Sequence, residues 1–489
     1  MPVPLGEAAS GYRPRAASNP LKEIVEDGME ELFDQWDERF AKDHGALHPR
    51  VRKLFEAFLR CGDAHFGFLR LRCECGEEKL VPFSCKTRGP CPSCSKKRAL
   101  LWAERMVGEV LPEVPYVQLV FTIPKILRMA FLFDRSLLGE LSRVAYAATK
   151  EFLAEHFPAL EGPVPAMVVV PQSFGGIANW HPHIHSCLSL GVFDSKAAFH
   201  PLPESFDFSL LVDLFRERTF RMLLAKEKVT AERVAMLRTW KHSGFQVLSE
   251  RRVDAHDRKG LESLLEYMER SPVSLDRLSY LEDGRVLYRG NYHPSLGRDH
   301  QLVSAVEFLA LLVPHISLKY EVQIRTYGAV STTIRKRFGW IHKDKGAKSK
   351  GPEQVLVVDG EESEFVKVRR RNWARLIQKV WLDDPTLCPR CGKEMKVIAA
   401  ISSPTQDEVI EKILRARGEW DPPWKRGRPA RGPPPVGPCL AVTHLDVELN
   451  RNVRLAGGDD NVQFVDPPHR DDDWLDEPGG SWPGAIAES

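Results

Sequence analysis

Two histidines separated by one apolar residue, His183 and His185 in NWHPHIHSCLSLG (Asn179 to Gly191), are the residues of this chain best spaced for metal chemistry. In a strand, alternate side chains share a face. His183, His185, Cys187 and Ser189 therefore lie on one side, and Ile184, Ser186, Leu188 and Leu190 on the other. Two neutral imidazoles can hold a divalent ion if a third polar group joins them and positions stay open for substrate oxygens. Gln172, in the preceding VVVPQSF stretch, is the first candidate for that third ligand. His181 competes, having the same parity, although Pro182 sets it outside the regular strand. Carboxamide and imidazole without thiolate favour Mg2+ or Mn2+ over structural zinc. The bland alternative is a pair of hydrogen-bonded, inert strand histidines.

Tyr267 is the candidate nucleophile. In KGLESLLEYMERSPVS, Leu261, Leu264, Leu265 and Met268 recur at the spacing of a core-facing helix stripe, and Pro272 ends the helix. Tyr267 falls off that stripe, on the side of Ser263, Arg270 and Ser271, where its hydroxyl can reach a cleft. A phenol with a pKa near about 10 attacks phosphate only with help from a cation, which a histidine-bound ion would supply. A tyrosine merely capping the core is the competing reading.

The ten cysteines are clustered. Cys73, Cys75, Cys85, Cys91 and Cys94 fall in CECGEEKLVPFSCKTRGPCPSC, and Cys388 and Cys391 in CPRCG. In a reducing compartment such spacing points to metal rather than disulfides. Cys73, Cys75, Cys91 and Cys94 make a plausible tetrahedral Zn2+ site, with Cys85 as an alternative ligand. The Cys388/Cys391 pair has no second pair nearby, so Cys439 or a histidine completes a second zinc site, or the pair binds nothing. Lys86, Arg88, Lys96, Lys97 and Arg98 surround the first cluster, and Arg335, Lys336 and Arg337 open a second basic stretch; both suit phosphate contacts.

These groups need elements to position them. At 489 residues the chain is too long for one ordinary core. A net charge of +2 excludes nothing, but basic clusters in the body and acidic residues in the tail suit a phosphate-binding surface. No apolar run is long enough for a bilayer, and the start lacks the apolar core of a secretory signal, so a cytoplasmic protein with reduced thiols is expected. No phosphate loop ending in Gly-Lys-Ser/Thr occurs, so ATP use is not indicated. Periodicity predicts disorder over 1–20, helices and the cysteine cluster over 21–110, and alternating helices and strands over 111–350. A linker follows over 351–365, a Cys-x-x-Cys module over 366–420 and a Pro-rich, acidic tail over 421–489. The alternation indicates an α/β or α+β domain.

Taken in order, VFTIP, HPHIHSCLSLGVF and LLEYMERSPVSLDRLSYLEDGRVLYRG resemble the rolling-circle HUH transposases of the insertion-sequence ninety-one family. The cysteine block resembles their opening zinc-binding domain, and NWARLIQKVWLDDPTLCPRCGKEMKVIAAI their C-terminal segment. The resemblance implies an α+β fold, in which an HUH nuclease domain with an antiparallel sheet and packed helices is flanked by a helical zinc-binding domain and a small C-terminal cysteine module. It also implies metal ligation by His183 and His185, and nucleophilic attack by Tyr267 on single-stranded DNA at element ends to give a 5′-phosphotyrosine. Relatives with two catalytic tyrosines carry the second four residues on; here that position is Ser271, which implies the single-tyrosine subgroup. Host replication proteins or a helicase, a homo-oligomer and a nucleoid location are further implied. The rivals are a plasmid replication initiator or relaxase, which share this chemistry, and a non-catalytic zinc-ribbon DNA-binding regulator. A zinc hydrolase is more distant, since His-Glu-x-x-His does not occur.

Overall fold

The computed structural model describes residues 19–87, 90–175, 179–241, 243–293, 298–318, 321–341 and 384–421. Arg88, Cys439, the terminal segments and the linker expected over 351–365 lie outside these residues.

The chain opens with helices α1 (Pro20–Gln35), α2 (Ala41–His44) and α3 (Arg50–Arg60), then a hairpin of β1 (Gly67–Arg72) and β2 (Glu78–Pro82), then α4 (Pro92–Arg105). Asn19 caps α1, its Oδ1 accepting from the Leu21 amide at 2.9 Å, with Pro20 at the first helical position. There follow β3 (Tyr116–Thr122), α5 (Lys125–Phe133), α6 (Ser136–His156), β4 (Ala166–Phe174), β5 (Trp180–Ser189), β6 (Gly191–Phe193) and β7 (Phe199–Pro201). Next come α7 (Leu211–Ala225), α8 (Ala231–Arg238), β8 (Gln246–Val253) and α9 (Arg258–Met268). The remainder comprises β9 (Leu278–Tyr280), β10 (Arg285–His293), β11 (Arg298–Ser304), α10 (Ala305–Leu312), β12 (Arg325–Gly328), α11 (Thr332–Arg337), β13 (Lys396–Ser402) and α12 (Asp407–Ala416).

The centre is a five-stranded sheet in the order β12-β4-β5-β3-β8, antiparallel throughout, with the histidine strand β5 in the middle. Strand alternation divides its side chains between two cores. Leu119, Phe121, Ile184 and Leu188 pack against α5, α6 and α7. Val168, Val170 and Cys187 face the other way, against Leu261, Leu264, Leu265 and Met268 of α9 and Trp102 and Ala103 of α4. That second face carries the histidines, so the apolar stripe of α9 brings the tyrosine helix to them. Each fully buried leucine of the stripe contributes about 1.5–3 kcal/mol to this docking. Asp257 caps α9, its Oδ1 accepting from the Gly260 amide at 2.8 Å, and a Cβ on Gly260 would fall 2.0 Å from the other carboxylate oxygen.

The architecture is α+β, with helical, cysteine-bearing N-terminal and small C-terminal parts flanking the central sheet domain. Two features differ from the boundaries read in the sequence. The N-terminal helices are not a free-standing unit: Ile24, Leu32 and Phe55 share one core with Val286, Val303 and Phe308 of β10, β11 and α10. The C-terminal segment is tied in likewise, because β13 pairs antiparallel with β1 in a sheet ordered β13-β1-β2. Both arise because a short helix pair or a two-stranded hairpin cannot bury its apolar face alone. Among the described residues no helix is long and apolar enough to cross a membrane.

Candidate active site and cysteine clusters

The β4–β5 register sets Gln172 opposite His183, and β3 sets Val120 opposite His185. His183, His185 and Gln172 are all buried. The His183 Nδ1–H donates to the His181 carbonyl at 2.7 Å, which leaves a lone pair on Nε2. That Nε2 lies 3.0 Å from Nε2 of His185. Two ligands about 2.1 Å from an ion at a right angle stand about 3.0 Å apart, so this spacing matches one edge of an octahedron. Gln172 donates from Nε2 to the Met268 carbonyl at 2.7 Å, while its buried Oε1 has no hydrogen-bond partner. A buried orphan carboxamide oxygen beside two imidazoles suits a cation ligand, and the same side chain ties that position to the residue after Tyr267.

The Tyr267 ring packs edge-on to His185, with centroids 5.7 Å apart at 89°. The Arg270 guanidinium lies 4.6 Å from the Tyr267 ring centroid, supplying positive charge at the same spot. Beside Gln172 and Arg270 opens a cavity of about 420 Å³, also lined by Arg135, Phe174, His315 and Arg325. His181, the competing ligand, stacks at a tilt on His183 at 5.1 Å. Sequence reasoning missed Gln118, which is buried and whose amide sits 3.1 Å from Nδ1 of His185 on the far side from His183. Its signal was available: it is the one carboxamide in the otherwise apolar YVQLVF.

The zinc ligand sets differ from those expected. Cys73 and Cys75 do not join Cys91 and Cys94. One cluster is Cys61, Cys85, Cys91 and Cys94, and the other is Cys73, Cys75, Cys388 and Cys391. The physical reason is the β1–β2 hairpin, which carries Cys73 and Cys75 at its tip, away from the base where Cys85 and the start of α4 meet the end of α3. Cys85 is thus a full member rather than a substitute, and Cys61, which follows the last residue of α3, was not foreseen. Sγ separations in the first cluster are 3.4–3.6 Å. These are near the roughly 3.8 Å edge of a zinc tetrathiolate and far above the roughly 2.05 Å of a disulfide. Donation from Cys85, Cys91 and Cys94 pulls the Cys61 thiol well below its usual value, while burial pushes Cys85 and Cys91 up. Four sulfurs brought together by the end of α3, the segment following β2 and the start of α4 form a cluster consistent with Zn2+ binding.

The basic residues divide. Arg98 was expected to contact DNA, but it is buried and faces Glu269 at 3.8 Å; α4 must pack its inner side on α9, which leaves that position no path to solvent. Arg335 is half-buried and donates to the Glu109 carbonyl at 2.6 Å. Lys86, Lys336 and Arg337 are exposed, and Lys96 and Lys97 are half-buried.

Burial holds His181 and His185 well below the ordinary imidazole range and His44 down to about 4. In the unfolded chain these groups take up protons below about pH 6.5. Their neutral burial therefore contributes fully above that pH and is lost as pH falls toward the depressed folded values. Through these histidines, the urea midpoint of metal-free protein is expected to fall steadily from about pH 6.5 to 4. A midpoint unchanged down to about pH 4.5 contradicts this.

Two protein families match the chain. Residues 32–123 match the family described as "Transposase zinc-binding domain" and residues 166–337 the one described as "Putative transposase". The chain is also 26% identical over 394 residues to a protein of Pseudomonas savastanoi pv. phaseolicola, covering 74% of this chain and 87% of that one. That relative is named "Transposase for insertion sequence element IS801". No solved structure matches the chain.

Proposed function

We propose that this chain, whose homology to transposase domains of the insertion-sequence ninety-one type supports an HUH transposase family assignment and a rolling-circle type of activity, nicks and rejoins single-stranded DNA at element ends through one tyrosine. The observation that carries the chemistry is the convergence of Tyr267, the His183–His185 pair and the orphan Gln172 Oε1 on one buried face.

His183, His185 and Gln172 would hold Mg2+ or Mn2+, which supplies charge neutralisation for the non-bridging oxygens of the scissile phosphate. The Tyr267 hydroxyl attacks phosphorus, losing its proton to solvent. The bond to the 3′ oxygen breaks, that oxygen takes up a proton as a free 3′-hydroxyl, and the 5′ phosphate stays on Tyr267. Bond energy is retained in the phosphotyrosine, so reversal onto another 3′-hydroxyl joins DNA without a nucleotide cofactor. Arg270 holds charge against the phosphate, and the arginine-lined cavity beside Gln172 receives the flanking strand. Ser271 stands four residues beyond Tyr267, and its Oγ accepts from the Val273 amide at 3.2 Å, so that position offers no second phenol. Lys86, Lys336 and Arg337 are exposed where they can meet phosphates. The Cys61/Cys85/Cys91/Cys94 cluster would hold Zn2+, fixing α4 behind the tyrosine helix.

The test is a 3′-labelled single strand spanning an element end and its flank, incubated in metal-free buffer with and without added Mn2+ or Mg2+. Label is expected on the protein only with added ion, together with an upstream fragment ending in a 3′-hydroxyl. Cleavage that never labels the protein, or labelling that ignores the ion, overturns the reading.

A further inference from the structure

We propose that Cys73, Cys75, Cys388 and Cys391 form a second structural zinc site, a ribbon assembled from two ends of the chain that clasps the C-terminal module onto the N-terminal hairpin. The two matched family segments end at residues 123 and 337, so half of this ligand set lies beyond both.

Each cysteine pair sits on a tight turn closed by glycine. In CECG, the Gly76 amide donates to the Cys73 carbonyl at 3.0 Å, with Gly76 at φ +90°. In CPRCG, the Gly392 amide donates to the Cys388 carbonyl at 2.9 Å, with Gly392 at φ +70°. Only glycine adopts such φ readily, and its place directly after the second cysteine turns both sulfurs of a pair to one side. The first turn is the tip of the β1–β2 hairpin. The second closes a smaller hairpin in which Leu387 bridges Glu394 and the Met395 amide donates to the Thr386 carbonyl at 2.6 Å. The turns face each other, with Cys73 Sγ 3.4 Å from Cys391 Sγ and Cys75 Sγ 3.6 Å from Cys388 Sγ. All four sulfurs lie within 4.8 Å of one another. The 3.4 and 3.6 Å separations are near the roughly 3.8 Å edge of a zinc tetrathiolate and far above the roughly 2.05 Å of a disulfide.

The surroundings say what the metal does. Among the described residues, the core beneath the sulfurs is small: Leu71, Val81, Met395 and the buried Cys73 and Cys388, with Leu69 and Val397 against it, and a second small cluster of Phe68, Ile401, Ile410 and Leu414 lies along the same sheet, so a metal would add to modest apolar packing. The β1–β13 pairing extends from the same point, from Arg72 opposite Lys396 to Gly67 opposite Ser402. The sequence separation of 313 between Cys75 and Cys388 does not forbid the bridge, because loop-closure entropy grows only with the logarithm of length. With Cys75 and Cys391 exposed and fixed by turns, the site is a surface clasp rather than a reaction centre.

The full chain, reconstituted with Co2+ and separately assayed for zinc, tests this. Two four-sulfur metals per chain are expected, each with the intense thiolate-to-cobalt absorption of such sites; an ion on His183, His185 and Gln172 would add to the total metal without that absorption. The double variant Cys388→Ser, Cys391→Ser is expected to hold one four-sulfur metal, lose half that absorption and become cleavable by protease within residues 384–421. A wild-type chain with a single four-sulfur metal overturns the proposal whether or not the variant folds. So does a double variant that keeps the full thiolate-to-cobalt absorption. The count is read without DNA, so it stands or falls separately from the strand-transfer reading.

Discussion

Tyr267→Phe is expected to abolish the covalent protein–DNA adduct, lowering strand cleavage by at least about a thousandfold, while single-strand binding stays within a few-fold of the parent. The size follows from the proposed role, in which the variant removes the atom that would form the bond to phosphorus. The ring, its edge-on contact with His185 and the Arg270 guanidinium above it remain, so stability should change by less than about 1 kcal/mol. Two neighbouring phenols are engaged elsewhere. The Tyr280 hydroxyl donates to Asp27 at 2.9 Å, and the Tyr288 hydroxyl to the Pro272 carbonyl at 3.3 Å. Denaturing gels with 3′-labelled DNA read the adduct, and filter binding reads the affinity. An adduct that survives the substitution removes Tyr267 from the mechanism.

Cys94→Ser is expected to have the second largest effect, on stability first and on activity through it. Structural zinc contributes on the order of 10 kcal/mol to the folding of small metal domains. Here Cys91 and Cys94 lie in the same core as α1, α3 and α10, so losing the metal loosens the helices packed behind them. The effect reaches the reaction because α4, which begins at these cysteines, carries Arg98 against Glu269, two residues after Tyr267. Loosening α4 disturbs this buried pair and with it the segment that carries Tyr267. The variant should hold one zinc fewer per chain, unfold at markedly lower temperature and lose adduct formation in proportion to its unfolded fraction. An unchanged melting temperature with unchanged zinc content would show that Cys94 is no ligand.

The parts legible in the sequence are those with a local period. The His-Ile-His alternation gave the face of β5, the leucine stripe gave the buried side of α9, and the short connection between Gln172 and His183 placed those two side by side. What stayed hidden depends on contacts between distant segments. Nothing in LRCGD marks Cys61 as the partner of Cys91, because its helix end looks like any other. The crossing of the cysteine pairs follows from the length of one hairpin and from a strand more than 300 residues away. Arg98 shows the same limit: a cluster of basic letters does not reveal which one turns inward, and only the docking of α4 on α9 decides it. Gln118 is an intermediate case, visible as a polar residue in an apolar strand but without meaning until β3 is set beside β5.

The central claim is that one divalent ion sits between paired imidazoles and a phenol, with room for a phosphodiester. Anomalous scattering from crystals soaked in Mn2+ measures it directly. The predicted peak lies about 2.1 Å from Nε2 of His183, Nε2 of His185 and Oε1 of Gln172, with the Tyr267 hydroxyl turned toward it across a phosphate-sized gap. A peak bound elsewhere, or a phenol turned away from the ion, would contradict the account.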